Sequence, residues 1–476
     1  MSDEALLHRL RAAVGPRFCL TEPDEVAPHL VETRGLYRGS TLMVVRPGTV
    51  EAVAETVRLC AAERMPVVPQ GGNTGLVGGG VPEGRSIVLD TSRLARIRAL
   101  DAANFAITVD AGCILADIQK AASEADRLFP LSLGAEGSCR IGGNISTNAG
   151  GIQVLRYGTM RDLVLGLEVV LPSGELWDGL RALRKDNTGY GLKHLFIGAE
   201  GTLGVVTGAV LKLFPKPVEY ATAFLGLERI DAVMALFERA RAATADQLTA
   251  FELIGRSGLD LTLRHVPGTS DPLAGRYPWY ALIELSSPVA GNLGPLLEAL
   301  LSQALESGLI GDGTIASTDR QRRDLWRLRE GVVEAQPREG GSIKHDVSVP
   351  ISEVARFVER ATAAVEARLP GIRPVPFGHV GDGNIHFNLT QPLGMDKAAY
   401  LARWAEFNTL VHDIAVALGG SISAEHGIGR LKPAELARYR SPLELRLMAE
   451  LKRALDPDNI MNPGKILPSS ILEALA

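Results

Sequence analysis

The sequence predicts an α+β protein of more than one domain. Three observations carry this. At 476 residues the chain is too long for one ordinary hydrophobic core, so two or three domains are expected. Its first half alternates short apolar runs with helix-period segments. Its second half alternates again, around a strand–turn–strand signal at Asp382-Gly383.

In chain order, residues 49–65 read as a helix, with Thr49 as N-cap and Val53, Val57 and Cys60 on one face. MPVVPQ is a short strand that opens into the glycine loop GGNTGLVGGG (71–80). SIVLD (86–90) and FAITVDAG (105–112) read as strands, and residues 114–125 as a helix. FPKPVEY (214–220), with two prolines, reads as a domain joint. Beyond it, helices are expected at 228–243, 292–307 and 318–335, and strands at 279–286 and 342–350. Near the end, Ser441 and Glu444 form a capping box with Pro442 at the first helical position. Leu443, Leu447, Leu451 and Leu455 give that helix one apolar stripe.

Composition narrows the function classes. A formal charge of -5 without a basic stripe argues against a nucleic-acid partner. The four cysteines, Cys19, Cys60, Cys113 and Cys139, form no CxxC pair, which disfavours a zinc ribbon or iron–sulfur cluster. The start MSDEALLHRL lacks an apolar secretion core, and the longest apolar runs fall short of a membrane helix. The cytoplasm is therefore the expected location, with peripheral attachment at an inner membrane as the variant.

Glycine is abundant, at 51 residues, and it clusters. Glycine loops beside strands and helix starts let backbone N–H groups close on phosphate oxygens. Three such regions precede residue 210, which suits a long, phosphate-bearing ligand; glycines that merely turn the chain are the plainer alternative for any one loop. No stretch gives GxGxxG directly after a first strand, and Walker A is absent, which disfavours NAD and ATP. PQGGNTGLVGG (69–79), PLSLGAEGSCRIGGNISTNAGG (130–151) and GAEGTLGVVT (198–207) closely resemble the FAD-binding domain of the vanillyl-alcohol-oxidase/p-cresol-methylhydroxylase superfamily.

That resemblance covers nearly the whole chain. It implies a two-subdomain FAD-binding domain of the PCMH type over 1–217, and a substrate- and metal-binding domain over 218–435, built on an antiparallel sheet covered by helices. A helical segment over 436–476 would return to the flavin. Pro69, Gln70, Gly71, Gly72, Asn73, Thr74, Gly75 and Leu76 would wrap the pyrophosphate and isoalloxazine. So would Gly134, Ala135, Glu136, Gly137, Gly142, Gly143, Asn144, Ser146, Thr147, Gly150 and Gly151. Glu200, Gly204, Val205 and Val206 would line the rest, with Asn462 from the tail. Relatives that attach FAD covalently use a His in or near the first loop. Here Asn73 stands there and the loop has neither His nor Cys, so non-covalent FAD is expected.

Three of the nine histidines lie in two compact motifs, PFGHVGDGNIHFNL and SAEHGIG. A two-residue type I′ turn at Asp382-Gly383 sets Val380 opposite Ile385 and His379 opposite His386, with Asn388 on the same face. Two imidazoles and one carboxylate are a standard catalytic zinc set. Glu425 is the obvious third donor, and its neighbour His426 remains as a base. A hydrogen-bonded pair of core histidines is the plainer alternative. These motifs resemble the C-terminal domain of the D-2-hydroxyglutarate and D-lactate dehydrogenases of the same flavin superfamily. The resemblance implies that His379, His386 and Glu425 bind Zn²⁺ or a similar metal, that His426 takes the hydroxyl proton, and that the α-hydrogen leaves as hydride to flavin N5. Asn388 would orient the substrate.

Arg329 and Lys344 match positions that hold substrate carboxylate in those enzymes, although a long cation alone is usually a solvated surface residue. Where the family carries Thr one turn after the Arg, this chain has Val333, which removes a hydroxyl donor beside the expected pocket. The expected activity is oxidation of a small D-2-hydroxy acid, with D-2-hydroxyglutarate ahead of D-lactate. Electrons would pass to an electron-transfer flavoprotein or a quinone, and a homodimer is a prior only. A metal-dependent hydrolase is the rival class; it leaves the glycine loops unexplained.

Overall fold

The computed structural model describes residues 2–474. The chain forms two compact units. One comprises Met1–Gly151, Tyr157–Lys216 and Glu425–Ala476; the other comprises Ile152–Arg156 and Pro217–Ala424. The chain thus returns to its first unit at Glu425, upstream of residue 436, and residues 152–156 belong with the second.

The first unit holds two sheets. In the smaller, strands run Cys19–Leu20, Met43–Val45, Ile87–Asp90, Val67–Gln70, and the last three are mutually parallel. Helix Val50–Ala62 buries Val53, Val57 and Cys60, and its Thr49 hydroxyl accepts the Ala52 N–H at 3.2 Å. Met43, Val45, Val67, Ile87 and Leu89 supply the facing core. Ligands of open parallel sheets lie beyond the carboxyl ends of the strands. Gln70 is such an end, and it opens directly into the first glycine loop. Met461 bridges Val67 in parallel, and the Asn462 N–H donates to Val67 O at 2.8 Å, so the C-terminal tail extends this sheet. The second sheet is antiparallel, in the order Ile97–Asp101, Ala106–Asp110, Val205–Lys212, Val164–Val170, Leu176–Gly179. The short helix Ile141–Ser146 packs against its central strand.

Helix Pro442–Leu455 begins with the expected Ser441–Glu444 capping box. Its leucine stripe does not form a core: Leu443, Leu447 and Leu451 are 55%, 49% and 44% exposed. The helix is turned instead by Lys452, whose buried ammonium donates to Thr202 O and Met461 O at 2.8 Å each and to Asp456. Three satisfied donors outweigh an apolar face here, because an unpaired buried ammonium is far costlier than an exposed leucine.

The second unit is one antiparallel sheet, with strands in the order Asp312–Ile315, Glu219–Leu227, Trp279–Ser287, Leu248–Gly255, Arg373–His379, Asn384–Thr390, Ser342–Ile343. Asp346–Ser348 also pairs with Asn384–Thr390. Alternation along each strand feeds two cores. Leu225, Leu253, Ile283, Ile385 and Phe387 pack under helices Ile230–Thr244, Leu293–Glu306, Val354–Arg368 and Trp404–Ala417. Phe224, Ile254, Leu282, Val375 and Phe377 pack with Leu325, Leu328 and Val332 of helix Asp319–Ala335. This second face carries the polar residues of interest.

Candidate functional site

In the first unit the glycine loops wall a cavity. Its lining includes Pro69 through Gly75, Gly142, Gly143, Asn144, Ser146, Thr147, Glu200, Gly204, Val205, Val206 and His426. A Cβ placed on Gly75 or Gly143 would meet no atom within 4 Å, so these glycines leave room for something other than protein. Gly72 is different: a Cβ there would lie 2.2 Å from Ser138 O, so it permits one loop to cross the other. Asn144 Oδ1 is buried in the cavity wall and meets no hydrogen-bond partner among the described residues. A buried acceptor without a donor is costly unless a ligand supplies one. Backbone amides, open glycines and an unanswered acceptor fit a flavin dinucleotide.

Some expected cofactor residues stand elsewhere. Gly134 and Gly137 do not line the cavity, although a Cβ on either would also meet no atom within 4 Å, and Glu136 folds back so that Oε1 accepts the Leu133 N–H at 3.1 Å. Ala135 is tied into the same turn, its carbonyl accepting the Ser138 and Cys139 N–H groups at 2.9 and 2.8 Å. Leu76, Gly150 and Gly151 do not line the cavity. A Cβ on Gly151 would strike Ser132 O at 1.9 Å, so this glycine allows close backbone packing. Asn73 lines the cavity at φ 52°, while its Nδ2 donates to Val31 O at 2.8 Å and Pro28 O at 3.2 Å. Asn462 sits behind the wall and donates to Gly79 O and Glu200 O. Glu32, Thr91, Cys139 and Arg140 also line the cavity. None lies in the first glycine loop, and a lone Glu or Thr gives no sequence signal of a cavity wall.

His426 opens on this same cavity. Behind it, the Glu200 carboxylate accepts the Ile428 and Gly429 N–H groups at 2.7 Å each. Burial pushes the Glu200 carboxyl up to about 7, against the pull of those two amides and of Lys432 and Lys465.

In the second unit the hairpin differs from the expected one. Val380–Asp382 forms a 3-10 turn closed by Gly383 at φ 79°, so four residues connect the strands instead of two. The register pairs His379 with Asn384 and Phe377 with His386, not His379 with His386. A type I′ turn needs positive φ at both central residues; Gly383 has it but Asp382 does not, and the Gly383 N–H instead donates to Val380 O at 3.2 Å. The period of two still puts His379, Asn384, His386 and Asn388 on one face. The His379 and His386 rings stand 5.7 Å apart, nearly perpendicular.

Glu252, on the neighbouring strand and opposite His379, is the residue sequence reasoning missed. It is fully buried, with Oε1 2.6 Å from His379 Nδ1 and Oε2 accepting Arg329 Nε at 2.7 Å. Burial alone would raise its carboxyl; the charges of His379 and Arg329 outweigh that and hold it well below the usual range. A carboxylate at Nδ1 is the kind of contact that orients a metal-binding imidazole, and it equally suits a hydrogen-bonded core histidine. Among the described residues, His386 and Asp346 belong to a group of donors close enough to share a divalent cation, and His379, expected as a ligand, lies outside that group. Arg329, expected to face substrate, commits its Nε to Glu252 and lies over Phe377 at 4.7 Å. Val333, one turn on, is half exposed. Asn388 donates to Gln336 Oε1 at 2.8 Å. Lys344 falls in the break between two short strands, where the flanking register places it opposite Asn388. Asp346 is buried opposite His386, its Oδ1 accepting Asn384 Nδ2 at 2.9 Å and lying 3.9 Å from His386 Nδ1. Glu252 had one available signal, a charge inside the apolar run TAFELIG, since such a residue is seldom buried without a partner.

The fold is shared with p-cresol methylhydroxylase, which superposes at a TM-score of 0.75 with 19% identity, covering 98% of this chain and 97% of that one. Residues 41–179 match the FAD binding domain family, and residues 216–466 the C-terminal domain of FAD linked oxidases. D-2-hydroxyglutarate dehydrogenase of Bos taurus, a mitochondrial protein, is 40% identical over 98% of this chain and 84% of its own. The Xanthomonas citri D-2-hydroxyglutarate dehydrogenase is 38% identical, covering 98% and 97% respectively. The D-2-hydroxyglutarate–pyruvate transhydrogenase of Saccharomyces cerevisiae is 37% identical over 94% of this chain and 90% of its own. The chain belongs to the FAD-linked D-2-hydroxy acid dehydrogenases, in the branch of the D-2-hydroxyglutarate dehydrogenases. The cytoplasmic expectation is overturned by relatives from Bos taurus, Oryza sativa, Arabidopsis thaliana and Danio rerio, all mitochondrial by name. It rested on the lack of an apolar secretion core, which does not bear on mitochondrial routing. No described helix is long and apolar enough to cross a membrane.

Proposed function

We propose that this enzyme oxidises D-2-hydroxyglutarate to 2-oxoglutarate, using non-covalent FAD and a divalent cation, Zn²⁺ first among candidates. The observation that carries the reading is His426 in the wall of the glycine-loop cavity, in a chain 40% identical to a D-2-hydroxyglutarate dehydrogenase. FAD, when bound, supplies a two-electron acceptor. By the resemblance, His379, His386 and Glu425 would hold the cation, which would supply Lewis acidity that lowers the pKa of a hydroxyl. His426 accepts the hydroxyl proton as general base. Glu252 keeps His379 in one tautomer. Lys344 and the terminal nitrogens of Arg329 bind substrate carboxylate, Asn388 orients the substrate, and Val333 offers methyl groups where a hydroxyl would bond. Electrons leave to an external acceptor of the electron-transfer-flavoprotein or quinone kind.

A steady-state panel of D-2-hydroxy acids tests the substrate. We expect Lys344→Ala to lower kcat/KM for D-2-hydroxyglutarate at least tenfold more than for D-lactate; equal losses on both would remove the distal-carboxylate clamp. After exhaustive chelation, activity should fall while FAD stays bound, and full activity in a verified metal-free sample would remove the cation.

A further inference from the structure

We infer that Glu200 is a positioning residue for proton removal, setting the loop that carries His426, and is not a cofactor ligand. The inference rests on His426 being the base. Glu200 is held on both sides of its own backbone. Its N–H donates to Ser146 O at 2.8 Å, at the end of helix Ile141–Ser146, and its carbonyl accepts Asn462 Nδ2 at 2.8 Å. It adopts φ 50°, which a Glu rarely does and which persists only where surroundings over-determine it. This aims the carboxylate at one target.

Oε1 takes the Ile428 N–H and Oε2 the Gly429 N–H, two successive amides directly after His426-Gly427. Downstream, Val77 O accepts the N–H groups of Arg430 and Leu431 at 2.9 and 3.1 Å. The loop is thus clipped at four consecutive amides. Its glycines are shaped to that clip. Gly427 and Gly429 have φ 81° and 50°, and a Cβ on Gly427 would lie 2.6 Å from Glu200 Oε1. Both carboxylate oxygens are spent on the loop, and a carboxylate turned toward a pyrophosphate would meet like charge. A base must lie within hydrogen-bond reach of the proton it takes, and an error near 1 Å can cost about 10²-fold in rate. A bidentate clip two residues from His426 controls that reach.

The test is a double-mutant cycle on the anaerobic reduction of bound FAD by D-2-hydroxyglutarate, followed by stopped flow. Glu200→Gln loses one acceptor and should slow flavin reduction at least tenfold with FAD content retained. His426→Ala should slow it further, and Glu200→Gln added to His426→Ala should change the rate by less than twofold. Full additivity, an unchanged rate in Glu200→Gln, or loss of FAD as its main effect would each overturn the inference. If Glu200→Gln does not fold, Glu200→Asp enters the same cycle with the same expected masking. A wild-type rate in His426→Ala would sink the base itself, a failure distinct from additivity between two slow variants.

Discussion

The cofactor cavity of the first unit and the polar sheet face of the second are built from opposite materials. The cavity is made by backbone: open glycines, loop amides and the carbonyls that Asn462 and Asn73 tie down. The sheet face is made by side chains on regular strands, where Glu252, His379, His386 and Asp346 hold one another in place. A backbone-built site tolerates loss of one side chain but not gain of one. A side-chain-built site is the reverse, because its partners are charged or polar and buried or half-buried.

Two substitutions press on this contrast. The larger effect belongs to the sheet face. Glu252→Ala leaves Arg329 buried without its carboxylate and His379 without its bond, and should destabilise the second unit by about 3–5 kcal/mol. Denaturant titration reads this, and a loss under 1 kcal/mol would mean the network is not structural. The smaller effect belongs to the cavity. Gly143→Val adds atoms where nothing lies within 4 Å, so the fold should stand, while bound FAD falls at least tenfold in a purified sample. Normal FAD content in Gly143→Val would show that the cavity does not hold the cofactor there.

The same contrast explains what could be read in the sequence. Clustered glycines are visible as letters, so the cavity loops at 69–75 and 142–147 were legible, whereas His426 stood out as a base beside the metal set and not as part of this wall. The side-chain network was only half legible. His379 and His386 stood out by type and share a face as expected, but their register depended on whether the turn took two residues or four, a choice Asp382-Gly383 alone does not fix. Glu252 lies 127 positions from His379, and a pairing across that separation leaves no local pattern. The exposed leucines of helix Pro442–Leu455 failed for a related reason: periodicity identifies an apolar face, but the partners of one buried lysine decide which way it turns.

The most direct measurement is an anaerobic spectral titration of the purified yellow protein with the two enantiomers of 2-hydroxyglutarate. The oxidised flavin bands should bleach fully with one equivalent of the D-form per FAD, release 2-oxoglutarate, and stay unchanged with the L-form. A flavin that dithionite reduces but D-2-hydroxyglutarate leaves oxidised would contradict the account.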